Sequence, residues 1–326
     1  MVENAVIDEL MASKVVLFLG AGFSSWSADL PTAKDLFNFT IQPFGKRESN
    51  RLRQVILLKR SWDKDNPHGQ PEHFIEWVTK NLSEEEKHQV LWYVVRVLSE
   101  PFIYSEFHAG RERRHVLEID ENRKYNIKGV ASAQRFLGKF SQRLGGIITT
   151  NYDMLVEYAL GTKGFNYGVP KEVLSGRGPY PVSQWLHPVT LTGQLPLAKI
   201  HGSVSWDGQN HYSEGRRGLT GKALIVAPAA SKDIPDSLKP AWSLAKQILR
   251  NSSRIAIFGF GFNRYDRAVW DLLRSTSESM NSVLLISTTS RRAEAQEIWE
   301  DAVITEAPPP PVGDLIIDVW VQAKAQ

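Results

Sequence analysis

Two polar residues that could do chemistry directly follow apolar runs of the chain: Asn151 after "GIITT" (146–150) and His201 after "LAKI" (197–200). The amide of Asn151 offers both hydrogen-bond donors and an acceptor. The imidazole of His201, with a reference pKa of ~6.5, suits a general base near neutral pH. Both are candidate site residues, although a lone histidine at a strand end is more often structural than catalytic.

An earlier apolar run, "VVLFL" (15–19), leads into the glycine turn Gly20-Ala21-Gly22-Phe23-Ser24. A tight turn between a strand and a helix lets backbone N–H groups approach a phosphate. The dinucleotide fingerprint G-x-G-x-x-G is incomplete, because Ser25 occupies the third glycine position. The acidic residue that a dehydrogenase needs ~20 positions later is also missing from a strand end. We predict a phosphate-binding turn; the alternative is a turn without a ligand.

The residues around Asn151 read Thr149-Thr150-Asn151-Tyr152-Asp153 and precede a predicted helix. Asp153 or Asn151 could cap that helix, because short polar side chains accept hydrogen bonds from its first N–H groups. A cap needs only one of the two. The other, together with Thr150, is predicted to face a ligand.

The late apolar run "RIAIF" (254–258) ends in a second glycine turn, which contains Gly259 and Gly261. Asn263 and Asp266, three residues apart, resemble a capping box. Ser287, which ends "SVLLIS" (282–287), is predicted to lie near the site.

Short apolar runs alternate with helical patterns, which is typical of a doubly wound, mostly parallel, Rossmann-like α/β sheet. The predicted strands are 15–19, 146–150, 197–200, 223–227, 254–258, 282–287 and 315–321. The predicted helices among them are 32–40, 131–143, 153–160, 239–250, 264–275 and 290–300. Because such sheets bind ligands at the carboxyl ends of their strands, the candidate residues should meet at one edge.

Residues 45–128 interrupt this alternation, and we predict a helical insertion between the first two core strands. It contains helical patterns at 51–59, 71–80 and 84–99 and a highly charged stretch, 111–128. The Gly- and Pro-rich residues 161–196 are predicted to form a long loop over the site. The segment "APPPPVG" (307–313) is predicted to be a stiff connector into the last strand.

The composition excludes several classes of function. The 326 residues are 42% hydrophobic and 23% charged, with a net charge of +3, too small to indicate nucleic-acid binding. Cysteine is absent, which excludes disulfides, a thiol nucleophile and cysteine-ligated metals. The acidic N-terminus is unlike a signal peptide, and no apolar run approaches the ~20 residues of a membrane span. We expect a cytoplasmic protein.

The order of these motifs resembles the sirtuin-like NAD-binding family, in its divergent prokaryotic branch. The resemblance depends on G-A-G-x-S at Gly20–Ser24, T-x-N-Y-D at Thr149–Asp153, K-x-H-G-S at Lys199–Ser203 and Leu30-Pro31 after the first turn. A glycine turn after a late strand completes the order, although Gly261 stands where the family has a serine. The resemblance implies one sirtuin-like domain over residues 1–326.

The resemblance implies that NAD is the substrate and that the bond between nicotinamide and ribose is cleaved. Gly20–Ser24 would bind the pyrophosphate, Asn151 the ribose or the attacking water, and Ser287 would lie near the adenosine half. His201 would be the general base, and Asp153 would support its loop. In the NAD-hydrolysing branch of the family, water is the nucleophile. The resemblance to this branch implies a toxic effector of prokaryotic anti-phage defence.

Two alternatives stay open beside NAD hydrolysis. One is an NAD-dependent deacylase or ADP-ribosyltransferase, although sirtuin deacylases have a zinc module with four cysteines and this chain has none. The other is a non-catalytic nucleotide-binding subunit. We expect no metal, no membrane and no direct nucleic-acid binding. We also expect a homo-oligomer or an activating partner protein, since a toxic enzyme must be silent until triggered.

Overall fold

The fold was analysed in a computed structural model of the chain. The structure describes residues 14–41, 43, 45–107, 132–138, 140, 143–160, 165–170, 173, 195–204, 206, 224–226 and 234–310. The predicted strand 315–321 and the charged stretch 111–128 lie outside these residues, as does most of the predicted loop 161–196.

A seven-stranded parallel sheet organises the described part of the chain. Its strands are β1 (Val15–Leu19), β2 (Leu144–Thr149), β3 (Phe165–Asn166), β4 (Leu195–Lys199), β7 (Arg254–Phe258), β8 (Ser282–Ile286) and β9 (Val303–Ala307). They lie in the order β3-β4-β2-β1-β7-β8-β9, and every neighbouring pair is parallel. A separate antiparallel pair is formed by β5 (Gly202–Ser203) and β6 (Leu224–Ile225). The predicted Rossmann-like α/β class is confirmed.

Helices cover both faces of this sheet. They are α1 (Ala21–Ala28), α2 (Gly45–Asp65), α3 (Pro71–Asn81), α4 (Glu84–Phe107), α5 (Leu155–Leu160), α6 (Lys239–Arg250), α7 (Arg267–Arg274) and α8 (Arg292–Ile298). Residues 132–138 are also helical. Among the described residues, no helix is long and apolar enough to cross a membrane.

The alternation of side chains along the strands produces two cores. In β1, Val15, Leu17 and Leu19 point into one core, whereas Val16 and Phe18 point into the other. The first core is completed by α1 to α5, and the second by α6, α7 and α8. Because both faces are buried, the central strands are continuously apolar, which is the pattern that made them predictable.

Helix α6 shows why these segments are helical. Its buried residues Ala241, Leu244, Ala245 and Ile248 recur at the three- and four-residue spacing of one helix face. Proline in the first turn suits a helix start, and Arg250 in the last turn complements the helix dipole.

Helices α2, α3 and α4 lie in sequence between β1 and β2, inside the range predicted as an insertion. They are part of the first core, since Val55 of α2, Phe74 of α3 and Trp92 of α4 are completely buried there. The insertion therefore provides much of one helical layer of the fold.

Three predicted elements were wrong. The helix predicted at 32–40 is only a short 3₁₀ turn at Ala33–Asp35, because the Asp35 carboxylate accepts hydrogen bonds from Thr32 and Asn38 and these local bonds compete with a helix. The strand predicted at 223–227 is two residues long and lies outside the central sheet. Ala307, predicted as connector, ends the unpredicted strand β9.

Candidate active site

The strand order predicts a ligand-binding crevice where the parallel strands end. This edge of the sheet is here called the carboxyl edge. The chain passes from β1 outward to β2 on one side, and later to β7 on the other side of β1. In open α/β sheets ligands bind at the carboxyl ends of the strands at such a switch point. The glycine turns after β1 and β7 both lie there.

These two turns contact each other through backbone. A Cβ atom added to Gly20 would lie 2.5 Å from the carbonyl oxygen of Gly259, and one added to Gly22 would lie 2.7 Å from the Gly259 Cα. Gly259 itself has a φ of +64°. The glycines of the first turn are thus required by close approach between turns, whatever they bind.

The hydrogen bonds of the first turn change its predicted role. The N–H groups of Gly20 and Gly22 donate to the carbonyls of Phe258 and Gly259, both at 2.9 Å, and that of Phe23 donates to Gly20 at 3.0 Å. These three N–H groups therefore have acceptors inside the protein. Among the described residues, no backbone acceptor is assigned to the N–H of Ala21.

The side chain of Asn151 ties the turn after β2 to the turn after β1. Its Nδ2 donates to the carbonyl of Gly20 and to the hydroxyl of Ser24, both at 2.9 Å. Asn151 and Ser24 are buried, at 9% and 2% exposure. Both hydrogens of the amide are thus used, and its Oδ1 remains as the acceptor. The Ser24 hydroxyl accepts from Asn151, which leaves its own hydrogen to donate.

Asp153 caps the helix that follows, as one of the predictions stated. Its Oδ1 accepts a hydrogen bond from the N–H of Leu155 at 2.9 Å. The carbonyl of Asp153 accepts a second hydrogen bond, from the ammonium group of Lys199 at the end of β4. Asp153 therefore connects the turn that contains Asn151 to helix α5 and to the end of β4.

Lys199 also pairs with Glu157 of α5 at 3.0 Å, and each side chain is 1% exposed. Burial raises the pKa of Glu157, against the opposing effect of Lys199. The second carboxylate oxygen of Glu157 has no hydrogen-bond partner among the described residues. This buried pair fixes the end of β4 to α5, two residues before His201.

His201 follows β4 and contacts the carboxylate of Asp266, which follows β7 on the other side of β1. Its Nε2 lies 3.1 Å from the Oδ2 of Asp266, and both side chains are 5% exposed. Asp266 precedes α7, where the sequence predicted half of a capping box, but its side chain makes no cap hydrogen bond. The Asn263 carboxamide instead accepts from the N–H of Tyr265. The predicted box is therefore wrong, and the pairing of Asp266 was missed because nothing in the local sequence indicates it.

Aromatic rings surround this pair. The ring centroids of Tyr152 and Trp242 each lie 6.4 Å from that of His201. The Tyr152 hydroxyl donates to the carbonyl of Val226 at 3.0 Å. Burial raises the pKa of Tyr152, and the negative charges of Glu72 and Asp266 add to the effect. Tyr152 is therefore a neutral hydrogen-bond donor here.

The other predicted site residues differ in position. The Phe23 side chain is fully buried in the first core, 5.3 Å from the Phe258 ring, so only its backbone faces the turn. Thr150 is half-buried, and its N–H donates to Leu19 at 3.2 Å. Gly261 is exposed, with no atom within 4 Å of an added Cβ. Ser287 follows β8, two strands from β1.

In the part of the chain that the structure describes, no group of three or more His, Cys, Asp or Glu residues could hold a metal ion.

Comparison with known proteins gave one family match. Residues 145–305 match the family model described as a SIR2-like domain. This stretch contains Asn151, His201 and Asp266, whereas the glycine turn after β1 precedes it. No curated protein matches the chain.

Several solved structures are similar at low identity. One, concerned with the mechanism and regulation of Sir2 enzymes, is 13% identical over 99% of this chain and 97% of that chain, with a TM-score of 0.48. A mutant Sir2 homologue in complex with 2′-O-acetyl ADP-ribose is 11% identical over 98% and 95%, with a TM-score of 0.46. A Sir2 protein bound to a propionylated peptide is 12% identical over 99% and 97%, with a TM-score of 0.42.

Proposed function

We propose that the chain, whose residues 145–305 match a SIR2-like domain, is an NAD⁺ glycohydrolase of the sirtuin-like NAD-binding family. The reaction consumes NAD⁺ and water and yields nicotinamide, ADP-ribose and a proton. Water forms the new C–O bond at the ribose carbon. The C–N bond breaks, its electron pair stays with nicotinamide, and a base takes the proton of the water.

The observation that carries this proposal is the placement of Asn151 and His201 at one edge of the sheet. They follow the neighbouring strands β2 and β4, both are buried, and both lie at the carboxyl edge beside the glycine turn of β1. A base and an orienting amide in a water-poor crevice are what hydrolysis of a glycosidic bond needs, since its transition state resembles an oxocarbenium ion.

Asn151 acts through its acceptor in this proposal. Because both Nδ2 hydrogens are held by Gly20 and Ser24, only Oδ1 can accept from a ribose hydroxyl or from the attacking water. The same bonds keep the amide from rotating, so the acceptor is fixed before substrate arrives. Such pre-organisation is a source of catalysis.

Ser24 and Ala21 are the proposed contacts to the pyrophosphate. The Ser24 hydroxyl has a hydrogen left to donate, and the Ala21 N–H stands in the first turn of α1, where the helix dipole favours an anion. Gly20, Gly22 and Phe23 shape this turn rather than donate, since their N–H groups already have acceptors. Thr150, Asp153, Gly259, Gly261 and Ser287 complete the proposed binding residues.

The biological role we propose is that of a toxic effector in prokaryotic anti-phage defence, which stops growth by depleting NAD. A homo-oligomeric state or an activating partner protein belongs to this proposal, because an unregulated NAD hydrolase would harm its own cell. The absence of cysteine from the chain speaks against the zinc-dependent deacylase alternative.

The test is release of nicotinamide and ADP-ribose from NAD⁺ by wild type, His201→Gln and Asn151→Ala. His201→Gln keeps a donor for Asp266 but supplies no base, so it should lower kcat about 10²- to 10⁴-fold while the fold survives. Asn151→Ala should be comparably damaging, and the double variant little worse, because residues that act as a unit are non-additive.

His68→Ala is the matched control, since His68 lies exposed in the turn between α2 and α3. It should leave turnover unchanged. Melting temperatures measured on the same samples separate loss of chemistry from loss of fold. A folded His201→Gln protein with full turnover contradicts the proposed mechanism.

A further inference from the structure

The contact between His201 and Asp266 joins two turns that are distant in the sheet. His201 follows β4 and Asp266 follows β7, with β2 and β1 between them. Three strand spacings amount to roughly 14 Å. The contact therefore brings together, at the carboxyl edge, two turns whose strands are separated by β2 and β1.

The burial of Asp266 has no structural explanation in its own helix. It occupies the N-cap position of α7, where a carboxylate ordinarily accepts hydrogen bonds from the first turn, yet no such side-chain bond is made. Its side chain is 5% exposed and lies 3.1 Å from His201. A buried carboxylate is costly unless it is paired, and the described partner of this one is the imidazole.

The contact decides which nitrogen of His201 can act as a base. A carboxylate accepts hydrogen bonds, so a neutral His201 facing it carries its hydrogen on Nε2. The lone pair is then on Nδ1. When Nδ1 takes a proton, the adjacent carboxylate stabilises the imidazolium that forms.

We propose that Asp266 is the positioning residue of the site, which holds His201 in the Nε2–H tautomer and leaves Nδ1 as the base. This proposal rests on the proposed function for its kinetic consequence only. Asp266 acts through His201 and does not itself touch the reacting atoms. The segment after β7 thereby contributes to catalysis through Asp266, rather than through Gly261.

The first experiment measures the tautomer directly. Long-range ¹H–¹⁵N spectra of protein labelled at histidine nitrogens distinguish a protonated from an unprotonated ring nitrogen, and the His201 signal is assigned by its loss in His201→Gln. The proposal expects a proton on Nε2 and none on Nδ1 in the wild type, and loss of this single state in Asp266→Asn. A wild-type His201 protonated at Nδ1 overturns the proposal.

The second experiment compares kinetics of Asp266→Asn with those of the wild type. The Asp266 side chain makes no cap hydrogen bond to α7, so loss of a cap cannot explain the effect of the substitution. We expect kcat to fall about 10²-fold or more with little change in KM, because the orientation of the base is lost while the binding residues remain. An Asp266→Asn protein with wild-type kcat per folded molecule overturns the proposal, whatever its melting temperature.

The matched control is Asp236→Asn, which makes the same substitution at an exposed carboxylate far from His201 in the sequence. Asp236 pairs with Lys239 at the start of α6, but its side chain is 93% exposed. It should leave both kcat and the His201 signals unchanged. If the wild type releases no nicotinamide, the proposed function fails, and the spectra of the same proteins still decide the role of Asp266.

Discussion

Between β1 and β7 the strand-end turns touch through backbone, whereas between β2 and β4 they are joined by buried polar side chains. On the first side Gly20 and Gly22 lie against Gly259 with no room for a Cβ atom. On the second side Lys199 of β4 donates to the carbonyl of Asp153 and pairs with Glu157. Backbone joins this second pair of turns too, since the N–H of Val204 donates to the carbonyl of Tyr152 at 2.9 Å, and so the buried charges are what distinguish the second side.

The difference shows what each side contributes to the site. Backbone contact brings the turns of β1 and β7 together and uses up N–H groups that could otherwise bind a ligand. Asn151 and His201, which follow β2 and β4, contact Gly20, Ser24 and Asp266 through their side chains, and each keeps one acceptor. The side with glycines therefore shapes the crevice, and the side with charges carries the proposed chemistry.

The largest effect is expected from Gly259→Ala. Alanine would have to adopt a φ of +64° and would place its Cβ 2.5 Å from the backbone of Gly22, so the two central turns must separate. We expect a loss of at least about 5 kcal/mol in the free energy of unfolding, or no recoverable folded protein. Chemical denaturation measures this free energy. A loss of less than about 2 kcal/mol would contradict the close backbone contact between Gly259 and Gly22.

A somewhat smaller effect is expected from Lys199→Met, which removes the cation from a buried pair. Breaking such a pair costs about 3–5 kcal/mol, because the partner charge stays buried. Lys199→Met combined with Glu157→Leu should cost clearly less than Lys199→Met alone, since no buried charge remains. Urea denaturation of both variants provides the measurement, and equal losses would show that the pair is not coupled.

The pH dependence of Lys199→Met follows from the raised pKa of Glu157. A carboxyl group with a raised folded pKa favours the native state at low pH, and this contribution is lost as pH rises through the folded pKa. Without Lys199 the carboxylate has no cation to offset that loss. The variant should therefore be more destabilised at about pH 8 than at about pH 5, and the reverse order would contradict the assignment.

The smallest effect is expected from Gly261→Ser, which tests whether every glycine of the late turn is needed. Gly261 is exposed, its φ is not positive, and an added Cβ meets no atom within 4 Å. The free energy of unfolding should change by no more than about 0.5 kcal/mol. A loss comparable to that of Gly259→Ala would remove the distinction between the two glycines of this turn.

Much of the fold could be predicted because the central strands are apolar on both faces. The bounds predicted for 15–19 and 254–258 are those of β1 and β7, and helix 239–250 is α6. One of the elements that the prediction missed, β9, lies at the edge of the sheet. β9 is half-exposed, with Val303 at 60% exposure, so its sequence lacks a continuous apolar run.

The sequence by itself determined which residues stand at the ends of strands, because an apolar run and the polar residue after it are local features. Asn151 and His201 could be found in this way. Only the tertiary structure decided which strand ends meet. The order β4-β2-β1-β7 brings Gly259 against Gly20 and Asp266 against His201. Strand order arises from the packing of the whole sheet and its helices, and so no local pattern around Asp266 could indicate its partner.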